Sequence, residues 1–328
     1  MDRLNNSRDI FVKKVLEAIP PQIKPIDYLM EILDLSRVSI YRRVNSQIPF
    51  SYDEMVRLSS DLEFSLEDII PPKENNRAVF HFQEYKGINT DDFFLKILQS
   101  YHDIVMEETK CKNRYSILTM NNLWPIFACG YNNLLKFFYY KWLHSTYSIP
   151  FDTSLGKISI PEPILAISNK IKPAIQSLNN TVYILDKNIL LNTMTEIQYY
   201  FRRKLIPTSE MALLISDIKY FIDHSKKNVL SGKTEKGTKI TYYLSFFNIL
   251  SNSIYISLDN KPESFFYEYS IHPLKTNNIN ICSHHKDWLE SLKKYSVLIS
   301  ASNEAVQLDY FEKQIEYLNN LKDDKDLF

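Results

Sequence analysis

The sequence predicts a multi-domain protein, with an all-α helix-turn-helix N-terminal domain and a larger α+β C-terminal domain that contains an antiparallel β meander. Apolar residues recur at three- and four-residue spacings through the first part of the chain, as in amphipathic helices. Further on, helical patterns mix with segments that alternate between apolar and polar residues, which is typical of strands with one buried face. The predicted parts are a domain at 1–72, a linker at 73–89, a domain at 90–328, and meander strands at 239–249, 253–258 and 264–271.

Length and composition set outer bounds on the protein class. The chain has 328 residues, is 45% hydrophobic and carries a formal net charge of zero, so it can form two domains with sizeable cores and has no polybasic character. Its first residues are polar, without a signal-peptide core, and no stretch approaches the ~18 uncharged apolar residues of a membrane helix. Three scattered cysteines are typical of reduced thiols. We therefore expect a soluble cytoplasmic protein.

The first two helices follow from their boundary residues. Asn6 or Ser7 can cap a helix that ends at the paired prolines 20 and 21. Pro25 opens the second helix, because proline is tolerated in a first helical turn. Leu29 and Leu33 lie on the apolar stripe of that helix.

A tight turn and a basic helix come next. Asp34 and Leu35 form the turn, and Ser36 can cap the third helix by accepting a bond from a backbone N–H. Ile40 and Val44 are spaced by four residues and point inward. Two helices joined by a short turn, the second with a basic outer face, form the arrangement that enters a DNA major groove.

Two further helices complete the predicted N-terminal domain. Ser51, with Glu54 three residues later, forms a capping box for a fourth helix. Ser65 and Asp68 open a short fifth helix, which ends before the paired prolines 71 and 72.

The run LDLSRVSIYRRVNSQIPFSYDE resembles the helix-turn-helix domain of the phage-repressor-like (XRE) transcription regulators. The family's recurring pattern is Leu-Gly-aliphatic-Ser-Arg, then a small polar residue, an aliphatic residue and paired Arg. The resemblance covers roughly residues 7–72. Asp34 replaces the usual Gly at a left-handed turn position, and Met30 replaces a small Ala at the helix crossing. The resemblance implies a DNA-binding domain.

The DNA contacts are assigned by side-chain chemistry. Arg37 and Arg42 suit guanine O6 and N7, Ser39 adds a hydroxyl, and Val38 suits a thymine methyl. Three residues near the end of the helix, Arg43, Asn45 and Gln47, suit phosphates, which fix position without carrying sequence information. The predicted DNA-binding set is Ser36, Arg37, Val38, Ser39, Tyr41, Arg42, Arg43, Asn45 and Gln47. The simpler interpretation is a solvated basic face.

The net charge of the predicted N-terminal domain lowers the affinity expected for DNA. Residues 1–72 hold nine Lys and Arg against twelve Asp and Glu, a net charge of −3. Attraction to DNA phosphates in general is therefore weak, and affinity depends on the local arginines together with dimerisation.

The C-terminal domain combines helices and strands. Its helices are predicted at 90–105, with Thr90 as the cap, at 131–143, at 161–178 with a break at Pro173, at 190–201, 211–222, 287–294 and 303–321. Two further strands are predicted at 182–185 and 296–300.

No catalytic motif emerges from this domain. The five glycines are not clustered as a phosphate-binding loop requires, and neither G-x-S-x-G nor H-E-x-x-H occurs. Cys282, His284 and His285 lie close together but have no second ligand pair at metal spacing, so they are interpreted as a polar loop. We expect no enzymatic activity, no metal and no cofactor.

The sequence thus predicts a sequence-specific transcription regulator. Its partners are double-stranded operator DNA and a second copy of the chain, with an unidentified small-molecule or peptide effector. Two alternatives stay open: a protein-interaction module that docks through the helical domain, and an enzyme with an appended DNA-binding domain.

Overall fold

The computed structural model describes residues 2–20, 22–62, 64–66, 79–81, 89–269 and 272–327. The chain divides into two compact units: an N-terminal unit, residues 1–79, and a C-terminal unit, residues 80–328. Most of the predicted linker and of the predicted fifth helix lies outside the described residues. No described helix is both long enough and apolar enough to cross a membrane.

Helices packed around a small apolar core form the N-terminal unit. They are α1 (Asp2–Ala18), α2 (Pro25–Leu33), α3 (Arg37–Val44) and α4 (Tyr52–Asp61). Leu29, Ile40 and Leu58 are completely buried in this core. The Phe11 and Phe50 rings meet edge to face at 5.2 Å between centroids, which joins α1 to the segment before α4.

The C-terminal unit places helices on both faces of one sheet. Its described helices are α5 (Thr90–Lys110), α6 (Pro125–Ala128), α7 (Asn132–Ser145), α8 (Glu162–Ile175), α9 (Ile189–Arg202), α10 (Thr208–Ser231), α11 (Ile279–Lys294) and α12 (Glu304–Lys322). Its described strands are β1 (Arg114–Met120), β2 (Thr181–Asp186), β3 (Ile240–Ser245), β4 (Asn252–Leu258), β5 (Lys261–Tyr269), β6 (His272–Thr276) and β7 (Val297–Leu298).

The predicted fold class was wrong, because the strands form a seven-stranded mixed sheet rather than an antiparallel meander. Its order is β6-β5-β4-β1-β2-β3-β7, with β1, β2 and β3 parallel and the other neighbours antiparallel. The predicted pairing of the first two meander strands does not form, since β1 and β2 lie between β3 and β4. The sequence analysis missed β1, which, like β3, has a parallel neighbour on one side and an antiparallel neighbour on the other.

Side chains alternate between two helical layers. Ile117 of β1 and Ile184 of β2 pack against α11 on one face. Their neighbours Leu118 and Tyr183 join the main core on the other face, which the remaining helices of this unit cover.

Four local predictions also need correction. Helix α1 begins at Asp2, so neither Asn6 nor Ser7 caps its start. Asn89, rather than Thr90, caps α5, and its side chain accepts a hydrogen bond from Asp91 N at 2.9 Å. Helix α8 continues through Pro173, which lies in its last turn, so the one backbone hydrogen bond that Pro173 cannot donate is lost where the helix is about to end. The segment with Cys282 belongs to α11 instead of a loop, because Asn278 caps that helix.

Candidate nucleic-acid interface

The turn between α2 and α3 is built from local hydrogen bonds. Asp34 adopts the left-handed conformation (φ 53°, ψ 48°), and Leu35 N donates to Met30 O at 3.4 Å. Ser36 then turns the chain into α3, and its hydroxyl accepts a hydrogen bond from Ser39 N at 3.4 Å. The predicted cap at Ser36 is therefore confirmed.

One buried residue fixes which face of α3 points outward. Ile40 is fully buried beside Leu29 and Leu33 of α2. Val38 and Tyr41, on either side of it in sequence, are 69% and 48% exposed. The helix therefore cannot rotate without removing Ile40 from the core, which would cost about 1.5–3 kcal/mol of burial.

Arg37 contacts a carboxylate at the surface. Its guanidinium lies 2.6 Å from Asp27 Oδ1 on α2, and both side chains are more than half exposed. Exposed pairs of this kind contribute roughly 0–1 kcal/mol. A guanine can therefore replace Asp27 as the partner of Arg37 at small cost.

Arg43 has a different role. Its Nε and one terminal nitrogen donate to the two carboxylate oxygens of Glu54 at 2.9 and 2.8 Å, and the other terminal nitrogen donates to Ser39 O at 3.3 Å. Both partners are about 15% exposed, so this ion pair braces α3 against α4. These bonds use three of the five N–H donors and hold the mostly buried guanidinium against α4, so Arg43 is poorly placed for the predicted phosphate contact.

Glu54 serves the capping box and the brace together. Its Oε2 accepts from Ser51 N at 2.8 Å, and Ser51 Oγ accepts from Glu54 N at 3.3 Å, which confirms the predicted box. Burial alone would raise the pKa of Glu54, but the hydrogen bonds from Arg43 and Ser51 outweigh it and hold the pKa below its ordinary value. The sequence signal for the capping box was an acid three residues after Ser51, whereas the contact of Glu54 with Arg43 had no local signal.

The remaining predicted residues face solvent or lie at the ends of α3. Arg42 is exposed, and within the described part of the chain it forms no ion pair. Ser39 is half-buried beside the Ser36 cap. Asn45 is the C-cap, and the exposed Gln47 follows it, with its backbone N–H donating to Arg42 O at 2.8 Å. Arg42, Val38 and Tyr41 thus form the exposed middle of the candidate interface, and exposed residues also lie at its two ends, namely Ser36, Arg37, Asn45 and Gln47.

In the C-terminal unit, the cluster predicted as a polar loop does not converge on one point. Cys282 and His285 are buried, whereas His284 is exposed. His285 Nδ1 and Nε2 lie 2.9 and 3.0 Å from the hydroxyls of Ser264 and Ser253, and burial lowers its pKa to about 4. Cys282 Sγ donates to Thr276 O at 3.5 Å. These side chains hold α11 against the sheet.

No family model, curated protein or solved structure matches this chain.

Proposed function

We propose that the chain is a sequence-specific DNA-binding transcription regulator that acts in the cytoplasm, with α3 as the helix that enters the major groove. One observation carries this proposal: Arg42, Val38 and Tyr41 are exposed on a helix whose orientation the buried Ile40 fixes. A guanidinium that can donate two hydrogen bonds, next to an apolar side chain, matches the acceptors and the thymine methyl that base pairs expose there.

The proposed mechanism divides the contacts between positioning and specificity. Arg42 and Arg37 donate to base edges, Val38 contacts a methyl group, and the exposed amides of Asn45 and Gln47 contact phosphates. Arg43 contributes indirectly, since its bond to Glu54 keeps α3 in place. The C-terminal unit supplies dimerisation, sensing of an effector, or both.

Selection of duplexes from a random pool by the full-length protein tests this function. We expect enrichment of one short motif that contains a guanine, with affinity for it about a thousandfold or more above that for random duplexes. An unenriched pool, bound no more tightly than random DNA, would contradict the proposal.

Exposed Val38 and Tyr41 also suit a protein partner, because apolar and aromatic side chains are typical of protein interfaces. In this second candidate function, the arginines of α3 pair with acidic groups of the partner. A salt titration of duplex binding separates the two, since release of counterions makes the affinity for DNA fall as the salt concentration rises. Duplex binding that is equally weak at every salt concentration would favour the protein partner.

A further inference from the structure

A cavity of about 330 Å³ lies in the C-terminal unit, at the carboxyl end of β1. It is formed by the loop after β1 and the segment before β4, together with side chains of α7 and α9. Ligands of sheets with parallel strands bind outside the carboxyl ends of those strands, and small-molecule pockets measure roughly 300–1,000 Å³. The cavity therefore has the location and the size of a ligand site.

The rim of the cavity is held by hydrogen bonds to the backbone. Asn252 Oδ1 accepts from Asn121 N at 2.7 Å and Asn122 N at 3.3 Å, and Asn252 Nδ2 donates to Asn122 O at 3.1 Å. Asn192 Nδ2 donates to Asn121 O at 2.8 Å. These contacts fix the loop, while the Asn122 side chain stays exposed and has no hydrogen-bond partner within the described residues. Its amide can therefore bind a ligand without rearrangement of the loop.

One wall carries an unsatisfied donor. Trp124 is only 4% exposed, yet its indole Nε1 has no hydrogen-bond partner in the described part of the protein. Leaving a buried N–H unpaired costs about 1–3 kcal/mol, so a hydrogen-bond acceptor that reaches it gains this energy. The Trp124 ring packs on Tyr267 at 4.2 Å between centroids, which holds the indole in position. Trp124 lines the cavity but its N–H is closed to solvent in this conformation, so an acceptor atom of a ligand reaches it once the cavity wall shifts slightly.

The charges around the cavity cancel. Its ionisable lining consists, within the described residues, of Lys141 and Glu196, which form an ion pair with each other. No cation is therefore left to neutralise a phosphate or carboxylate of a ligand. Phe138 and Trp142 contribute aromatic surface, and the hydroxyl of Thr193 adds a polar group.

We propose that this cavity binds an uncharged molecule with a flat heteroaromatic ring and hydroxyl groups, the class to which nucleosides belong. The ring suits the aromatic wall, one ring acceptor takes the Trp124 N–H, and the hydroxyls suit the amide rim at Asn122. The site does not depend on DNA binding, so its test contains no DNA.

The experiment measures binding of adenosine and uridine to the full-length protein by calorimetry and tryptophan fluorescence. Saturable binding of one molecule per chain to at least one nucleoside is expected. Trp124→Phe keeps the ring but removes the N–H, and Asn122→Ala removes the amide; each should weaken binding about threefold to tenfold. Trp288→Phe, at a half-exposed tryptophan on α11 outside the cavity, is the matched control and should bind as the wild type does.

The other outcomes overturn the proposal. Failure of both nucleosides to saturate the protein, or unchanged affinity in a folded Trp124→Phe variant, removes the assigned site. Tighter binding of adenosine monophosphate than of adenosine contradicts the neutral lining. If glucose binds as tightly as the nucleosides, the cavity is assigned to sugars instead. A loss of nucleoside binding leaves the selected DNA motif untouched, so failure here is distinguishable from failure of the proposed function.

Discussion

The arginines of α3 occupy different chemical environments, and only Arg42 is both exposed and unpaired within the described residues. Arg42→Ala should lower the affinity for the selected duplex by about 1–3 kcal/mol and relax specificity at one base pair, because a bidentate contact to guanine is lost. Competition binding against duplexes substituted at each position measures both effects. Arg57→Ala, at an exposed arginine of α4, removes the same charge and should leave the specificity pattern unchanged.

Arg43 should behave differently, because its guanidinium is already bound to Glu54. Arg43→Ala should lower the free energy of unfolding of the N-terminal unit by roughly 1–3 kcal/mol, since a half-buried carboxylate loses its partner. Amide hydrogen exchange at Leu29 and Ile40 measures this loss.

The same pair predicts a pH dependence. The pKa of Glu54 is lowered in the folded state, so the unfolded chain takes up the proton more readily. This stabilisation is complete above the ordinary carboxyl pKa and disappears as the pH falls through the lowered one. Arg43→Ala removes a group that lowers the pKa of Glu54, so this variant should lose less stability than the wild type as the pH falls. Identical pH profiles of the two proteins would contradict the assignment.

His285 predicts a second pH dependence, in the C-terminal unit. Its pKa falls from 6.5 to about 4 through burial, so below pH 6.5 the unfolded chain binds a proton that the folded chain does not. Stability should therefore decrease as the pH falls from about 6.5 to 4, by roughly 3 kcal/mol in total. Urea unfolding followed by tryptophan fluorescence measures it, since all three tryptophans lie in this unit.

His285→Gln keeps hydrogen-bonding groups between Ser253 and Ser264 but does not titrate. The difference between the two pH profiles isolates the histidine from the carboxylates that titrate in the same range. Parallel profiles would mean that folding does not change the pKa of His285, which would contradict the assignment.

Among the elements, the turn before α3 carries backbone strain, as do several other described turns in which a residue other than glycine has a positive φ. Asp34 has φ 53°, a conformation that costs L-residues roughly 1–2 kcal/mol and glycine almost nothing. Asp34→Gly should therefore raise the free energy of unfolding of the N-terminal unit by about 0.5–1 kcal/mol, after the greater backbone entropy of glycine is subtracted. Glu31→Gly, within α2, is the contrast and should destabilise by about 1 kcal/mol. Destabilisation by both substitutions would rule out the strain argument.

The sequence predicted those elements whose signals are local. The caps at Ser36 and Ser51 lie within four residues of the groups that they satisfy, so the residues themselves indicate them. Strand β1 was missed because its residues 116–120 are all buried, which removes the period-two alternation that marks a half-exposed strand. The partner of Arg43 lies on another helix, and a contact of that kind depends on packing that a single sequence does not show.

The order of the strands in the sheet could not be predicted either, because it depends on how the whole C-terminal unit packs. Strands β3 and β4 are close in sequence, with residues 246–251 between them, a spacing typical of a hairpin. They are nevertheless separated by β1 and β2, because β3 extends a parallel set whose helices pack on the main core. The cavity at the end of β1 depends on this order, so its residues had no signature in the sequence.

At the scale of the whole molecule, charge limits how one copy can hold DNA. The first 72 residues carry a net charge of −3, and on α3 only Arg37 and Arg42 keep their guanidinium groups at the surface. A single helix-turn-helix unit that brings these two cationic groups against the duplex displaces about two counterions, even though both groups contact bases, so its salt slope should be only about −2, with correspondingly low affinity. If the proposed function is right, we therefore expect specific binding to need two copies on one operator.

We expect the DNA-bound complex to contain two chains on half-sites whose centres lie about 10–10.5 base pairs apart, or a multiple of this, because each α3 must meet the same face of the duplex. Light scattering of the complex gives the number of chains, and footprinting gives the spacing. The salt slope should be about twice that of one unit, near −4, and duplexes with one half-site deleted should bind far more weakly. A single chain that binds one half-site as tightly as the full operator would show that α3 and its surroundings suffice, and pairing would then have no role in DNA binding.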